Sequence, residues 1–329
     1  MAEQNIVLKL KKANLLGRGG AGFPTWLKWK LVKKAKAEKK FVVCNASEGE
    51  PGVFKDGFLL EKFPEEVING MILAMEELGA AEGYIYLNPL YFKKHKKNLK
   101  KIINKKPIIL FEKKKAYIGG EETALCESIE GKRIEPRLKP PYLAEKGLFG
   151  FPTLVNNVET FYYASRISKG EYQKTRFYSI NGDVKKPGVF QLSESLTIEE
   201  VLKKTGNYPD FDFYVQSGGG AAGEILLKEE LNKPVSGAGS ITVYNKAKTD
   251  PFALMGKWVD FFMNGNCDKC LPCREGLYRL KQMIKKKDLN KESLNEIFFS
   301  LSEASFCALG RGVPVPFRSF LKKVMKVDL

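Results

Sequence analysis

Four of the six cysteines stand close to the C-terminus as Cys267, Cys270, Cys273 and Cys307. Two residues separate each neighbour in the first three, and a helix-forming stretch precedes the fourth. Three thiolates on one loop can wrap one face of a cubane, with a distant thiolate completing it, which is the sequence form of a [4Fe–4S] site. A tetrahedral zinc site is the competing reading, although such sites usually come as two separated CxxC pairs. Pro272 is expected to keep the loop out of helix so that the three sulfurs converge. Cys44 and Cys126 lie in apolar strand and helix patterns and read as small core residues. So few cysteines in a long chain favour metal over disulfides, and with that a reducing, cytoplasmic setting.

A second group of residues has ligand-binding chemistry without a nucleophile. Gly17, Arg18, Gly19, Gly20, Ala21, Gly22 and Phe23 contain the string G-x-G-x-x-G. No clear strand precedes it and no acidic residue follows at the distance a dinucleotide-binding unit needs, so the string alone is weak. Its backbone can nevertheless approach a flat or anionic ligand closely, with Arg18 and Lys28 adding positive charge. The loop Asn45 to Gly52 offers Glu48 and Glu50 just beyond a predicted strand. Gly119, Gly120, Glu121 and Glu122 repeat that pattern at the start of a helix, where glutamates are also favoured by the helix dipole alone. Asn156 and Asn157 open another helix and have capping as their plain explanation.

Three zones of elements must position these groups. From about Phe41 to Lys169, apolar runs at Phe41 to Cys44, Gly83 to Leu87 and Pro107 to Phe111 read as strands. Helical patterns fall between them, one through Val67, Met71, Ala74, Met75 and Leu78 and one over Pro89 to Ile103. Alternating β and α elements predict a mostly parallel, helix-covered sheet, with ligands beyond the carboxyl ends of its strands. From about Arg176 to Tyr244 the pattern is a small β-rich module with one helix, Leu196 to Lys204. The last zone reads as four short amphipathic helices, which places the cysteine triplet and Cys307 at one end of a bundle.

The net charge of +17 raises nucleic acid or an anionic membrane as partners, so its distribution matters. The lysines run as Lys33-Lys34, Lys93 to Lys101, Lys113 to Lys115 and Lys285 to Lys287, positions that read as solvated helix faces and element ends. His95 falls inside the second run and reads as exposed. There is no arginine-rich arm and no nucleic-acid-binding motif, which leaves a basic nucleic-acid-binding protein with a structural metal site as a remote alternative. No apolar run reaches the length of a membrane span, and Met1 to Gln4 do not open a secretory signal.

Taken together, the strings resemble the NADH-oxidising flavoprotein subunit of respiratory complex I and its relatives in NAD-linked hydrogenases and formate dehydrogenases. They are Gly17 to Thr25, Lys28-Trp29, Cys44 to Ala46 with Glu50 to Gly52, Tyr117 to Leu125, Pro136 to Pro141, Asn156 to Thr160, and the cysteines with Arg274 to Gly276 and Ser305-Phe306. The resemblance implies an α/β fold: a Rossmann-like FMN- and NAD(P)H-binding domain over residues 1–172, a β-grasp (SLBB) domain over 173–247 and a four-helix bundle carrying the cluster over 248–329. It implies FMN held by the Gly17 loop, Lys28, Asn45, Glu48, Tyr117, Gly120, Asn156 and Asn157, with Glu121 in the same cofactor-binding set. Phe23, Glu50, Glu122, Lys139 and Tyr142 are implied to face NAD(H) or NADP(H). Catalytic side chains are not required, because hydride passes to the flavin and electrons leave singly to the cluster. The implied partners are a thioredoxin-like [2Fe–2S] subunit and a larger iron–sulfur or hydrogenase-type subunit, with no nucleic acid and no direct membrane insertion. The same resemblance allows a diaphorase subunit of a hydrogenase, formate dehydrogenase or electron-bifurcating complex, and places the chain in the cytoplasm or at the membrane through partners. Ser47 and Gly49 stand where many relatives carry aspartate and serine.

Overall fold

The computed structural model describes residues 5–114 and 116–329; Met1 to Gln4, where no leader is read, and Lys115 lie outside that range. The chain forms two compact units. The first comprises Met1–Gly49, Phe54–Lys115 and Gly119–Thr175, and the second comprises Glu50–Val53, Ala116–Ile118 and Arg176–Leu329.

The first unit opens with helices α1 (Ile6–Ala13) and α2 (Thr25–Lys34), followed by strand β1 (Phe41–Ala46). Helices α3 (Lys55–Lys62) and α4 (Pro64–Leu78), strand β2 (Glu82–Leu87), helix α5 (Pro89–Ile103) and strand β3 (Ile108–Glu112) come next. Helix α6 (Glu122–Ile129), strand β4 (Thr153–Asn157) and helix α7 (Val158–Ser168) complete it. The strand order is β3-β2-β1-β4 with every pair parallel. β1 and β2 are buried almost throughout, which is why they read as unbroken apolar runs rather than alternating ones. α4 starts on Pro64 with Glu65 and Glu66 in its first turn and closes on Gly79 in the left-handed conformation (φ 64°). It packs on α7 so closely that a Cβ on Gly70 would lie 1.9 Å from the Phe161 carbonyl oxygen.

Three features of this unit depart from the sequence reading. β4 is a fourth strand, hidden because Thr153–Asn157 is short and runs straight into α7. α1 is a helix of eight residues that only its Asn5 cap and the apolar Ile6, Val7 and Leu10 announce. His95 is buried, not exposed: it lies on the inner face of α5 with Leu99 and Ile103, and burial holds its imidazole below the usual range.

In the second unit, strands β5 (Thr175–Gly182), β6 (Gly188–Ser193), β7 (Phe213–Ser217), β8 (Glu224–Leu227) and β9 (Ser240–Asn245) form a sheet in the order β6-β5-β9-β7-β8. β5 and β9 are parallel, whereas β7 is antiparallel to both β8 and β9. Helix α8 (Ile198–Lys204) follows a capping box between Thr197 and Glu200 and is stopped by Gly206 at φ 70°. Five helices follow: α9 (Pro251–Gly265), α10 (Leu271–Lys286), α11 (Lys291–Ala304), α12 (Ala308–Gly312) and α13 (Pro314–Lys323). The short α12 is additional to the four expected. α13 is tied to β8 by Lys323, whose ammonium donates to Glu224 (2.9 Å) and to the Ile225 carbonyl (2.8 Å). Pro272 does not delay α10. It occupies the first turn, where its missing N–H has no helical acceptor to lose, so Cys273 is already helical. No helix among the described residues is long and apolar enough to cross a membrane.

Candidate functional site

In a parallel sheet of order β3-β2-β1-β4, the chain reverses its winding between β1 and β4, and the cleft beyond their carboxyl ends is the natural ligand site. Asn45 lies opposite Asn157 and Cys44 opposite Asn156 in that pair of strands. Ser47 and Glu48 follow β1 at the same end. The Gly17 loop, between α1 and α2, is anchored there: the Arg18 N–H donates to Thr160 Oγ1 at 2.9 Å, and a Cβ on Gly19 would lie 3.3 Å from Asn157 Cβ. Gly20 (φ 113°) and Gly22 (φ 64°) take conformations that a side chain would strain.

The polar side chains here are mostly satisfied by the protein. Asn157 caps α7 through Glu159 N–H (3.0 Å), accepts from Lys55 (3.2 Å) and donates to Asp56 (2.6 Å). Asn156, oriented to satisfy its amide, accepts from the Trp29 indole at 2.9 Å. Asn45 accepts from the Ser47 hydroxyl (2.6 Å) and donates to the Gly120 carbonyl (2.9 Å). Arg18 is buried over the Tyr163 ring and donates to Tyr172. Beneath them lies an ionic network absent from the sequence reading. Lys55 bonds Asp56 at 2.7 Å and Glu159 at 3.1 Å, all three being nearly inaccessible. Glu48 accepts from Tyr91 (2.5 Å) and from the Asp56 and Gly57 N–H groups. Burial, and then the Asp56 charge, pushes the Glu48 carboxyl up to about 8. Burial alone would lower the Lys55 ammonium, but Asp56, Glu159 and Glu48 outweigh it and raise it. Only the side-by-side Lys55-Asp56 pair after a glycine turn hinted at this network.

The residues implied to face the dinucleotide are arranged differently. Glu122 sits between Lys28 (2.7 Å) and Lys139 (3.1 Å), and Lys139 also reaches Glu121 (2.9 Å). Burial pushes the Glu122 carboxyl up, but the two ammonium groups outweigh it and hold it below the usual range. Glu121 is the N-cap of α6, accepting from the Thr123 and Ala124 N–H groups, so of the two glutamates only Glu122 lies in the first turn that the dipole favours. Phe23 and Tyr142 are exposed.

Glu50 and Tyr117 belong to the second unit. The Glu50 carboxylate accepts from Ala222 N–H at 2.8 Å and from the Tyr117 hydroxyl at 3.1 Å, and burial pushes it up. Tyr117 in turn packs on the Phe261 ring at 4.6 Å. Cys267, Cys270, Cys273 and Cys307 line one cavity, walled by Ile118, Phe306 and Leu309. Cys270 stands at the N-cap position of α10 and Cys307 at that of α12, neither making a side-chain capping bond. Close approach requires Gly310, where a Cβ would lie 3.4 Å from Cys273 Cβ and 2.4 Å from Ser305 Oγ. Burial first, then the neighbouring thiols, pushes Cys273 up to about 12. Among the described residues no three His, Cys, Asp or Glu side chains meet tightly enough to hold a single ion; the cysteines surround a space.

A glycine cradle at a switch point suits a flavin nucleotide, and four thiols around an apolar-walled space suit an iron–sulfur cluster, which together define an electron-transfer flavoprotein class. Residues 10–166 match the Nuo51 FMN-binding domain, and residues 253–326 match the NADH-ubiquinone oxidoreductase-F iron-sulfur binding region. The F subunit of the NADH-quinone oxidoreductase of Buchnera aphidicola subsp. Schizaphis graminum is 34% identical over 98% of this chain and 83% of its own length. The HoxS alpha subunit of the NAD-reducing hydrogenase of Cupriavidus necator is 32% identical over 98% of this chain and 60% of its own. A crystal structure of an NAD+-reducing [NiFe]-hydrogenase superposes with a TM-score of 0.90 at 30% identity, covering 98% of this chain; this chain spans 62% of that one. The chain belongs to the family formed by the F subunits of NADH-quinone oxidoreductases.

Proposed function

We propose that this chain is the NADH-oxidising module of a larger electron-transfer assembly, with an FMN site in the first unit and one [4Fe–4S] site in the second. The observation that carries the reading is that the FMN-binding match covers the switch-point loops while all four cysteines of the iron–sulfur match line one cavity. When bound, FMN takes a two-electron hydride from NADH and a [4Fe–4S] cluster passes electrons singly, so an acceptor beyond this chain is needed.

The chain's own residues bind, orient and shield. In the first unit the Gly17 to Phe23 backbone, Asn45, Glu48, Gly120, Asn156 and Asn157 shape the flavin cleft, and the internal bonding of the asparagines fixes the cleft before ligand arrives. Lys28 stays with the FMN set, and its ion pair with Glu122 links it to the dinucleotide-facing Glu122 and Lys139, beside the Glu121 cap. In the second unit the four cysteines supply the cluster ligands, and Ile118, Phe306 and Leu309 exclude water. Glu50, Tyr117, Phe23 and Tyr142 remain cofactor-facing by resemblance. The domain division 1–172, 173–247 and 248–329, with a Rossmann-like first part, a β-grasp (SLBB) second and a four-helix bundle third, belongs to the same proposal. So do a cytoplasmic or membrane-peripheral location and the partners, a thioredoxin-like [2Fe–2S] subunit and a larger iron–sulfur subunit.

A diaphorase role in a hydrogenase is the second reading, favoured by the likeness to the hydrogenase subunit and structure. Only the partners distinguish it. The reconstituted full chain is expected to reduce ferricyanide with NADH rapidly and natural acceptors slowly until partner subunits are added. Fast, specific reduction of quinone or ferredoxin by the chain alone would overturn the module reading.

A further inference from the structure

Two lysines of the first unit are almost completely buried, and they are buried in opposite ways. Lys55 has Asp56 and Glu159 as counter-charges and is raised by them. Lys113 is 5% exposed, and no carboxylate pairs with it among the described residues. Its ammonium donates to one group, the Ser47 carbonyl oxygen, at 3.2 Å. Burial alone acts on it, lowering it to about 8. The lysine run Lys113 to Lys115 was expected to be a solvated element end. Instead the extended chain after β3 alternates outward and inward, which turns Glu112 and Lys114 out and Lys113 in.

The surroundings of Lys113 are those of the flavin cleft. It lies one residue past the carboxyl end of β3, its N–H on the Leu87 carbonyl at the end of β2. Ser47 sits between Asn45 and Glu48, and its hydroxyl would lie 2.8 Å from a Cβ on Gly120. A Cβ on Gly119 would meet Lys113 Cε at 3.5 Å and the Tyr86 hydroxyl at 3.2 Å. That hydroxyl is buried too and finds no hydrogen-bond partner of normal geometry among the described residues. A buried ammonium with one neutral acceptor is costly, because desolvation is not offset by an opposite charge. An arriving anionic or electron-rich oxygen offsets it.

We infer that Lys113 is a further cofactor-binding residue, whose ammonium supplies the counter-charge to an oxygen of the flavin nucleotide at the carboxyl end of the first sheet. This rests on the FMN reading above. Phosphate oxygens and ring carbonyl oxygens share the chemistry, and only the first are absent from riboflavin.

The test titrates the full chain, freed of flavin, with FMN and with riboflavin by fluorescence quenching, alongside thermal unfolding of the flavin-free protein. K113M keeps the length of the side chain and removes its charge, and K113Q keeps a polar end. Both are expected to weaken FMN binding about tenfold or more while the flavin-free Tm stays level or rises, as it does when an unpaired buried charge is removed. Loss for FMN alone assigns the phosphate; equal loss for riboflavin assigns the ring. Unchanged FMN affinity in a folded variant overturns the inference, and unfolding of both variants overturns it in favour of a structural lysine. Failure of the wild-type chain to bind FMN at all refutes the FMN reading instead.

Discussion

The network under α7 and the cysteine cavity are both rich in reactive groups, yet they are built on opposite logic. Around Lys55 each charged side chain has a partner supplied by the fold: Asp56, Glu159, Asn157, Glu48 and Tyr91 are joined within hydrogen-bond distance. The cysteines surround a space, and burial, with the neighbouring thiols, pushes up Cys273 and Cys307. A satisfied network fixes the shape of a cleft before ligand binds, whereas four clustered thiols, one buried and three half-buried, call for a cationic core from outside. The first region therefore answers to stability measurements and the second to metal.

The sharpest break in that comparison is Cys307→Ser. It is expected to abolish or severely degrade the iron–sulfur signal in electron paramagnetic resonance and absorption, with FMN binding unchanged. Full cluster occupancy in this variant would remove Cys307 from the ligand set. Next is Lys55→Met, which strands carboxylates in the interior and is expected to cost about 3–5 kcal/mol in denaturant unfolding of the protein. A cost below about 1 kcal/mol would mean that the network is wetter than its geometry indicates.

A smaller effect separates the regions by pH. The Glu48 carboxyl is raised from 4.5 to about 8, so the folded state holds a proton that the unfolded chain releases. Its contribution is then fullest below about 4.5 and is lost as pH rises towards 8. Asp56, Lys55 and Tyr91 face it. Glu48→Gln is expected to flatten the fall of Tm over that window in flavin-free protein; an unaltered profile would assign the proton elsewhere. Smallest is the effect at the pair Glu122 and Lys139. Glu122→Gln and Lys139→Ala are expected to raise KM for NADH several-fold with FMN retained, as when ground-state contacts are removed. Loss of FMN with unchanged dinucleotide affinity would reverse that assignment.

Much of this was legible in the sequence, for physical reasons that differ by region. The cysteine triplet and Cys307 were visible because cluster ligation constrains spacing along the chain. β1 was visible as an unbroken apolar run and α5 as a long helical pattern opened by Pro89. α5 spans Pro89–Ile103 as expected, from an Asn88 cap that accepts from Tyr91 N–H. β4 escaped because five residues feeding directly into α7 leave no punctuation. The burial of Lys113 and of His95 escaped because a lysine run reads as surface whichever way one member turns. Pro272 misled because proline in a first helical turn looks in sequence like proline outside a helix.

Anaerobic reconstitution of the full chain with iron, sulfide and FMN, followed by absorption spectra before and after NADH, is the decisive test of a chain that holds both a flavin and a cluster. The expected result is a flavin spectrum over broad iron–sulfur absorption, with the flavin band bleached by NADH. A chain that binds neither group under these conditions, or whose bound flavin is not bleached by NADH, would contradict it.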